Sequence, residues 1–449
     1  MFKKFSTTTL VLLFIFPIFA HPQARSNGAE IASLKFTLTN FRNSSVLRSR
    51  FGLLRFSPDG HYLAAVGTTR DVVLYDANTG QILSTIDNGN LGFAAFSFSP
   101  DSKEIAVQDA AYDKILLFAA DSGKLIREID STGKIASARK AVVDNFRNVD
   151  GLEMPEVPIT HDWKNAFVNS RDGQYQMIDV GSGAVKQIIE HAPKQSKLKN
   201  FFTILVFPYS IFLPSDTQIS SDGKFLLVST GNKVPTLWSA ETGMPIASLR
   251  GHESSVLSSA FSPDGQLVAT SEFKGITKIW KTYNGELVTT FGSKKQKAYF
   301  GGWSPDGSRV ITRQFKRDAL VWDTGTGKFL FKLDKSEGWG FLFDADGKQI
   351  ISYGQSNKDV SVQFWDAESG RLVSSIPREK SEDRAFSVGW SPDRRYFVTA
   401  STQFVKIWDA DRKLIQQLDN AVFPARFSPD GKTLATGGKS DTGLIWGIK

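Results

Sequence analysis

The sequence predicts an all-β chain folded as a single closed ring of four-stranded antiparallel blades. Three observations predict it. A Ser-Pro-Asp-Gly turn, or a close relative of it, recurs along most of the 449 residues. A short apolar strand ending in an aromatic residue follows each turn at a steady distance and runs into a second small turn. The chain also ends on one such strand with nothing after it, while a lone strand near the start has no turn of its own.

The first segment, "MFKKFSTTTLVLLFIFPIFAHPQA", places Lys3 and Lys4 before an apolar run from Leu10 to Ala20, with small residues at Ala20 and Ala24. That is the build of a secretory signal peptide over residues 1–24, cleaved after Ala20 or Ala24. The run is shorter than the ~20 apolar residues a membrane span needs, and Pro17 interrupts it. The expected location is periplasmic or secreted. The chain has no cysteine, so no disulfide and no cysteine-linked lipid is available, and stability has to come from the core. The hydrophobic share of 41% and charged share of 22% are those of a globular protein. The formal charge of +8 is modest over this length and permits attraction to anionic envelope surfaces. No arginine-rich or aromatic-interleaved basic pattern is present, so no nucleic-acid partner is expected. The basic stretch "SKKQK" at 293–297 reads as a solvated loop.

The turn has a mechanism. Pro presets φ at the second position, Asp suits the third, Gly takes the left-handed end, and Ser bonds back to the backbone. Copies begin at Ser57, Ser99, Ser220, Ser262, Ser304, Asp344, Ser391 and Ser428, with a degenerate one at Thr160. Runs of Val, Ile, Leu, Phe and Thr flank them and read as strands. Ser220 to Ser262 and Ser262 to Ser304 are 42 residues each, and a four-stranded repeat of about 40–45 residues is the period of a propeller blade.

The second landmark reads "VVLYDANTG" at 72–80, "ILLFAADSG" at 115–123, "YQMIDVGSG" at 175–183, "PTLWSAETG" at 235–243 and "TKIWKTYNG" at 277–285. It continues as "ALVWDTGTG" at 319–327, "VQFWDAESG" at 362–370, "VKIWDADRK" at 405–413 and "GLIWGIK" at 443–449. In these residues the chain resembles the WD-repeat β-propeller family across nearly all of the mature sequence. The Trp-Asp pair itself stands at Trp322–Asp323, Trp365–Asp366 and Trp408–Asp409. The resemblance implies a strand order of inner, second, Trp-bearing third and outer fourth. It also implies a buried tetrad of His, Ser or Thr, Trp and Asp. Only Gly251–His252 matches the Gly-His pair of that tetrad. Trp280 with Thr270 or Ser271 is positioned to join His252, but Lys274 stands where the Asp belongs, so an incomplete tetrad and a structural His252 are expected. The outer strand missing after "GLIWGIK" is expected from "ASLKFTLTNF" at 32–41, which would close the ring and remove its open edge.

Counting gives nine blades over residues 32–449, or eight if the degenerate unit from Thr160 to Glu190 is not one. The interruptions at 131–158 and 191–215 leave too few units on the N-terminal side for two rings. No GxSxG elbow, HExxH spacing or phosphate-cradling loop is present, and no cofactor or metal is expected. The aspartates are expected to serve their turns.

The expected function is a non-enzymatic protein- or peptide-binding scaffold of the bacterial cell envelope, acting as a monomer. An enzyme with carboxylates around the channel and a peripheral membrane binder using 191–215 are the alternatives. Both interruptions are consistent with apolar packing on the ring: a short amphipathic helix in the first, and a buried segment or bent strand pair in the second. The functional reading is that both follow an outer strand, precede an inner one and flank blade three. Lys194, Lys197 and Lys199 would then lie beside Phe201, Phe202, Phe207, Tyr209 and Phe212, with Arg139, Lys140 and Arg147 nearby. An aromatic patch rimmed by positive charge suits an acidic protein partner or an anionic surface.

Overall fold

The structure is a computed structural model. It describes residues 31–38, 53–66, 71–86, 93–109, 114–130, 157–169, 175–189, 217–229, 233–292, 298–314, 318–336, 340–354, 360–378, 385, 387–438 and 442–449. The signal segment, residues 131–156 of the first interruption, all of the second, and "SKKQK" lie outside the described residues.

The described residues form nine antiparallel sheets and no helix. Eight sheets have four strands; seven are simple meanders from inner to outer edge, and the eighth takes its outer strand from near the start of the chain. The blades cover 53–86, 93–130, 157–189, 217–248, 256–292, 298–333, 340–377, 387–418 and 421–448, the last joined by the strand Ala32–Leu38. That strand runs antiparallel to the final strand Gly443–Ile448, from Ala32 opposite Ile448 to Leu38 opposite Gly443, with a bulge between Leu34 and Phe36. The expected closure is therefore present over residues 32–38.

Closure is also visible in the core. Nine apolar clusters occur, and each joins two neighbouring blades. One of them packs Leu38, Ala435 and Ile445 of blade nine against Leu54, Leu63 and Tyr75 of blade one. Each sheet is thus buried on both faces, which explains the near-continuous apolar runs in the second and third strands.

The turns hold as their residues dictate. In blade one Ser57 Oγ donates to Asp59 Oδ1 at 2.6 Å, and the Tyr62 N–H donates to Ser57 Oγ at 2.9 Å. The same pair recurs in seven other blades, with Thr160 serving in blade three. Ser102 and Arg394 occupy the place of the turn glycine and take φ of 62° there. The second turn is capped by the aspartate of the Trp-Asp position: Asp366 Oδ1 accepts from the Ser369 N–H at 2.7 Å. At the end of that turn Gly370 has φ 69°, and an added Cβ would lie 2.3 Å from Phe331 of blade six. Both the turn and the close approach of two blades require glycine there.

Blade three is the exception. It has three strands, Asn165–Asn169, Tyr175–Asp179 and Val185–Ile189. Among the described residues, which begin at Val157 here, its inner side is represented by one bridge, Ile159 to Ala166. Pro158 has no N–H to give a ladder, and its carbonyl instead accepts from Phe167 at 2.8 Å.

Candidate functional site

Three sets of side chains organise the ring. The first is the tetrad in blade five. His252 Nε2 lies 2.8 Å from Thr270 Oγ1, which also accepts from Trp280 Nε1 at 2.7 Å. Ser271 is not part of it; its hydroxyl pairs with Thr277 at 2.6 Å. The expected gap at the acid is filled by another residue. Glu272 Oε2 lies 3.3 Å from His252 Nδ1 and accepts from the amides of Glu253 and Ser254 at 2.7 and 3.2 Å. Glu272 sits two residues before Lys274 on the second strand, and its longer side chain makes up the distance that an Asp at 274 would cover. Glu272 thus stands at the acid's place, within ion-pair distance of Nδ1 but without a hydrogen bond to it, and Lys274 pairs with Glu253 at the surface. Burial pushes His252 down to about 4, against the opposing pull of Glu272 and with Lys278 adding to the shift. It is neutral at pH 7, with Nδ1 on the Glu272 side and Nε2 on the Thr270 hydroxyl.

The Trp-to-hydroxyl bond repeats without histidine. Trp322 donates to Thr312, Trp365 to Ser352, Trp408 to Thr399 and Trp446 to Thr436, at 2.8–3.0 Å.

The second set is a series of latches from the first residue of a blade's second strand to the next blade. Glu104 accepts from Trp163 Nε1 at 2.7 Å, and Asn165 donates to the Ala240 carbonyl at 3.2 Å. Arg309 donates to the Ala367 carbonyl, Gln349 accepts from Arg412 at 2.8 Å, and Tyr396 donates to the Lys449 carbonyl at 3.3 Å. One turn departs from the others. Asp344 replaces the serine, and burial raises its pKa, as does the neighbouring Asp346, while the Gln349 N–H and Arg394 act the other way. In an ordinary turn such as that of Asp306, the Ser304 and Ser308 hydroxyls hold the carboxyl below its usual range.

The third set lines the axis. The innermost strands border the axis of a closed ring, so a partly exposed inner-strand side chain meets solvent there. Two residues before each turn serine, this position carries Arg426 in blade nine and Arg55 in blade one. Ser97 and Gln218 hold it in blades two and four, and Ala260, Gly302, Leu342 and Gly389 in blades five to eight. None is a carboxylate or a histidine. Several bond sideways around the ring: Arg55 Nη1 donates to the Phe96 carbonyl at 2.9 Å, and Gln218 Nε2 to the Ser259 carbonyl at 3.0 Å. Arg426 Nη1 donates to Ser387 Oγ at 3.1 Å.

All eleven residues of the expected partner surface, from Arg139 to Phe212, lie outside the described residues. Their anchors are described. The first connection leaves the outer strand Leu125–Asp130 and enters blade three at Val157, and the second leaves Val185–Ile189 and enters the inner strand Thr217–Ile219. Among the described residues no group of three or more His, Cys, Asp or Glu side chains could hold a metal ion.

A family model described as "WD domain, G-beta repeat" matches residues 243–281. Another, described as "Eukaryotic translation initiation factor eIF2A", matches residues 310–423. No curated protein matches the chain. Among solved structures, the chain is similar to the computationally designed Ika8 protein, with a TM-score of 0.52 and 14% identity over 90% of this chain and 97% of that one. It is also similar to the C-terminal WD40 domain of Sif2, with a TM-score of 0.52 and 13% identity over 94% of this chain and 99% of that one. At these identities the likeness concerns the fold alone. The WD-domain match falls on the blade that holds the His252 cluster, and four other blades share its Trp-to-hydroxyl bond. The chain is a β-propeller that carries repeats of the WD type, with the WD-domain model matching over 243–281.

Proposed function

We propose that the mature protein is an exported protein- or peptide-binding scaffold of the bacterial cell envelope, acting as a monomer and catalysing no reaction. A WD-repeat propeller supports protein binding in general. The observation that carries the finer reading is the pair of long connections anchored on either side of blade three. Both run from an outer strand to an inner one, so their anchors share one face of the ring. Their sequence combines Lys194, Lys197 and Lys199 with Phe201, Phe202, Phe207, Tyr209 and Phe212 in the second, and Arg139, Lys140 and Arg147 in the first. Aromatic anchors rimmed by cations are the make-up of an interface for an acidic protein.

Two measurements test this. The exported protein should begin at His21 or Arg25 by intact mass, and an exported chain that retains Met1 refutes the signal segment. Affinity capture from the producing cell's envelope should recover a partner with the wild-type chain and lose it with Phe202, Phe207 and Phe212 changed to Ser. Capture that survives the triple change removes the second connection from the site. Flotation with anionic vesicles that depends on the same three residues would replace the protein partner with a membrane surface.

A further inference from the structure

We propose that the seam where the ring closes is a selective strand-binding groove that also accepts the closing strand of a second copy of this chain. In this structure the groove is filled by the chain's own residues Ala32–Leu38. Three glycines form its seats. A Cβ added at Gly443 would lie 2.8 Å from Leu38, one at Gly447 2.5 Å from Lys35, and one at Gly80 2.7 Å from Phe36. At all three the nearest atoms belong to side chains of the closing strand, so each missing Cβ makes room for that strand.

The ends of the strand have sockets as well. Ala32 is buried with Val405 and Leu418 of blade eight, and Leu38 with Leu54 and Tyr75 of blade one. Gln416 of blade eight holds the backbone, bonding to main-chain atoms of Ile31 and Ala32. The groove thus reads a pattern: a small residue, a long cationic stem three places on, an aromatic next to it, and a leucine two places further.

These contacts do not depend on which molecule supplies the strand. Among the described residues its one strand neighbour is Gly443–Ile448, and Ser33, Leu34, Lys35 and Thr37 are exposed. Residues 39–52 separate it from the next strand, Leu53–Phe56, and a stretch of that length spans up to about 50 Å when extended. Two molecules that exchange their strands keep every contact of both seams, which is a low-cost route to a dimer. The occupant is a second copy because the seats match this chain's own Lys35, Phe36 and Leu38. The tether opposes exchange, since it presents the strand to its own seam at an effective concentration of about 1 mM. The chain is thus a monomer when dilute, in keeping with the reading above, and exchanges where copies are crowded. The groove shares no residue with the partner surface proposed above, so either can fail alone.

The test uses the full mature chain, unfolded in urea and refolded far below that effective concentration, at about 1 μM, and near it, at about 500 μM. Light scattering on a sizing column should show monomer in the first sample and a dimer fraction on the order of a tenth in the second. The chain has no cysteine of its own, so a crosslink can locate the contact. Ser33 and Gly447 are register partners, and directly opposed residues of an antiparallel pair lie within disulfide reach. The Lys35 stem nearest Gly447 is flexible and can make way for a cysteine. Differently tagged Ser33→Cys and Gly447→Cys chains, refolded together at the higher concentration, should form a mixed disulfide dimer. Adding Phe36→Ser and Leu38→Ser to the first chain leaves two seats empty and should cut that yield about 10-fold. A wild type that stays monomeric at both concentrations, dimers that give no mixed disulfide, or an equal yield from the Ser-substituted strand each overturn the proposal.

Discussion

At the scale of single residues, the tetrad decides how blade five responds to mutation and to pH. Glu272 is buried and accepts two backbone amides while facing His252. Removing it in Glu272→Ala leaves those donors without an acceptor, at a cost of about 2–4 kcal/mol, readable as a lower urea midpoint. The pH dependence has a definite sign. The unfolded chain protonates His252 near 6.5, whereas burial in the fold pushes it down to about 4. The unfolded state therefore binds a proton first, and this contribution to stability is complete above pH 6.5 and lost as pH falls toward 4. Urea midpoints between pH 7.5 and 4.5 should show that decline, and His252→Phe should flatten it. Asp344 has the opposite sign. Its folded pKa is raised above 3.8, chiefly by burial, with Asp346 adding while Arg394 and the Gln349 amide oppose; Arg412 also lies within its field. The penalty is absent when Asp344 is protonated and grows as pH rises through the folded value. Asp344→Ser restores the ordinary turn and should stabilise the protein at pH 7 by about 0.5–1.5 kcal/mol. That gain should shrink on acidification, and a gain that stays constant with pH refutes a raised Asp344 pKa as the origin of the penalty. Much of this was readable beforehand: Ser, Pro, Asp and Gly of the turns, and Trp280, Thr270 and His252 of the tetrad, are local features of each repeat. Glu272 was not, because the acid was sought at the spacing of an Asp, and a longer side chain from two residues earlier reaches the same point.

At the scale of elements, the closing strand is where the chain's two ends meet. Ala32 and Leu38 are buried at its two ends, in the clusters shared with blades eight and one respectively. Gln416 of blade eight clamps it from the side. Its Oε1 accepts from the amides of Ile31 and Ala32 at 3.1 and 2.9 Å, and its Nε2 donates to the Ala32 carbonyl at 2.8 Å. Deleting residues 32–38 exposes the edge of Gly443–Ile448 along with apolar surface at Leu444 and Ile445. The loss should be on the order of 3–6 kcal/mol, with aggregation through the open edge. Gln416→Ala should cost about 1–2 kcal/mol without aggregation, since the strand pairing remains. An unchanged denaturant midpoint in the deletion variant would rule out any role for the strand in closure. Counting strands in the sequence was enough to find this element, because a ring of four-stranded units that ends on a third strand lacks one partner. The Gln416 clamp and the latches from Glu104, Arg309 and Gln349 were not readable. They join residues 58 to 385 positions apart whose proximity is fixed by the curvature of the ring rather than by any repeat.

At the scale of the whole molecule, the ring distributes stability unevenly, and blade three is its weakest member. The other eight blades pair a full inner strand with the second strand, whereas blade three has the single bridge of Ile159 to Ala166. Blades five to nine each tie a tryptophan on the third strand to a hydroxyl on the second. In blade three those two positions hold Ile178 and Val168, which pack against blade two but form no such bond. Its ties to its neighbours are the latches of Trp163 to Glu104 and Asn165 to Ala240, together with the Val157 amide on Ser97 Oγ at 3.0 Å. In a closed ring each blade is held by two interfaces, so the blade with the fewest internal bonds opens first and exposes the flanks of blades two and four. Native-state hydrogen exchange should therefore show amides of 165–169 and 175–179 opening with a free energy about 1–3 kcal/mol below that of 267–272 and 276–281. Their dependence on denaturant should be shallower than that of global unfolding, because only one blade's surface is exposed. Glu104→Ala should lower the opening free energy of blade three further and leave blade five unchanged. Equal protection in the two blades would mean that the ring unfolds only as a whole and that the single inner bridge described in blade three carries no energetic consequence.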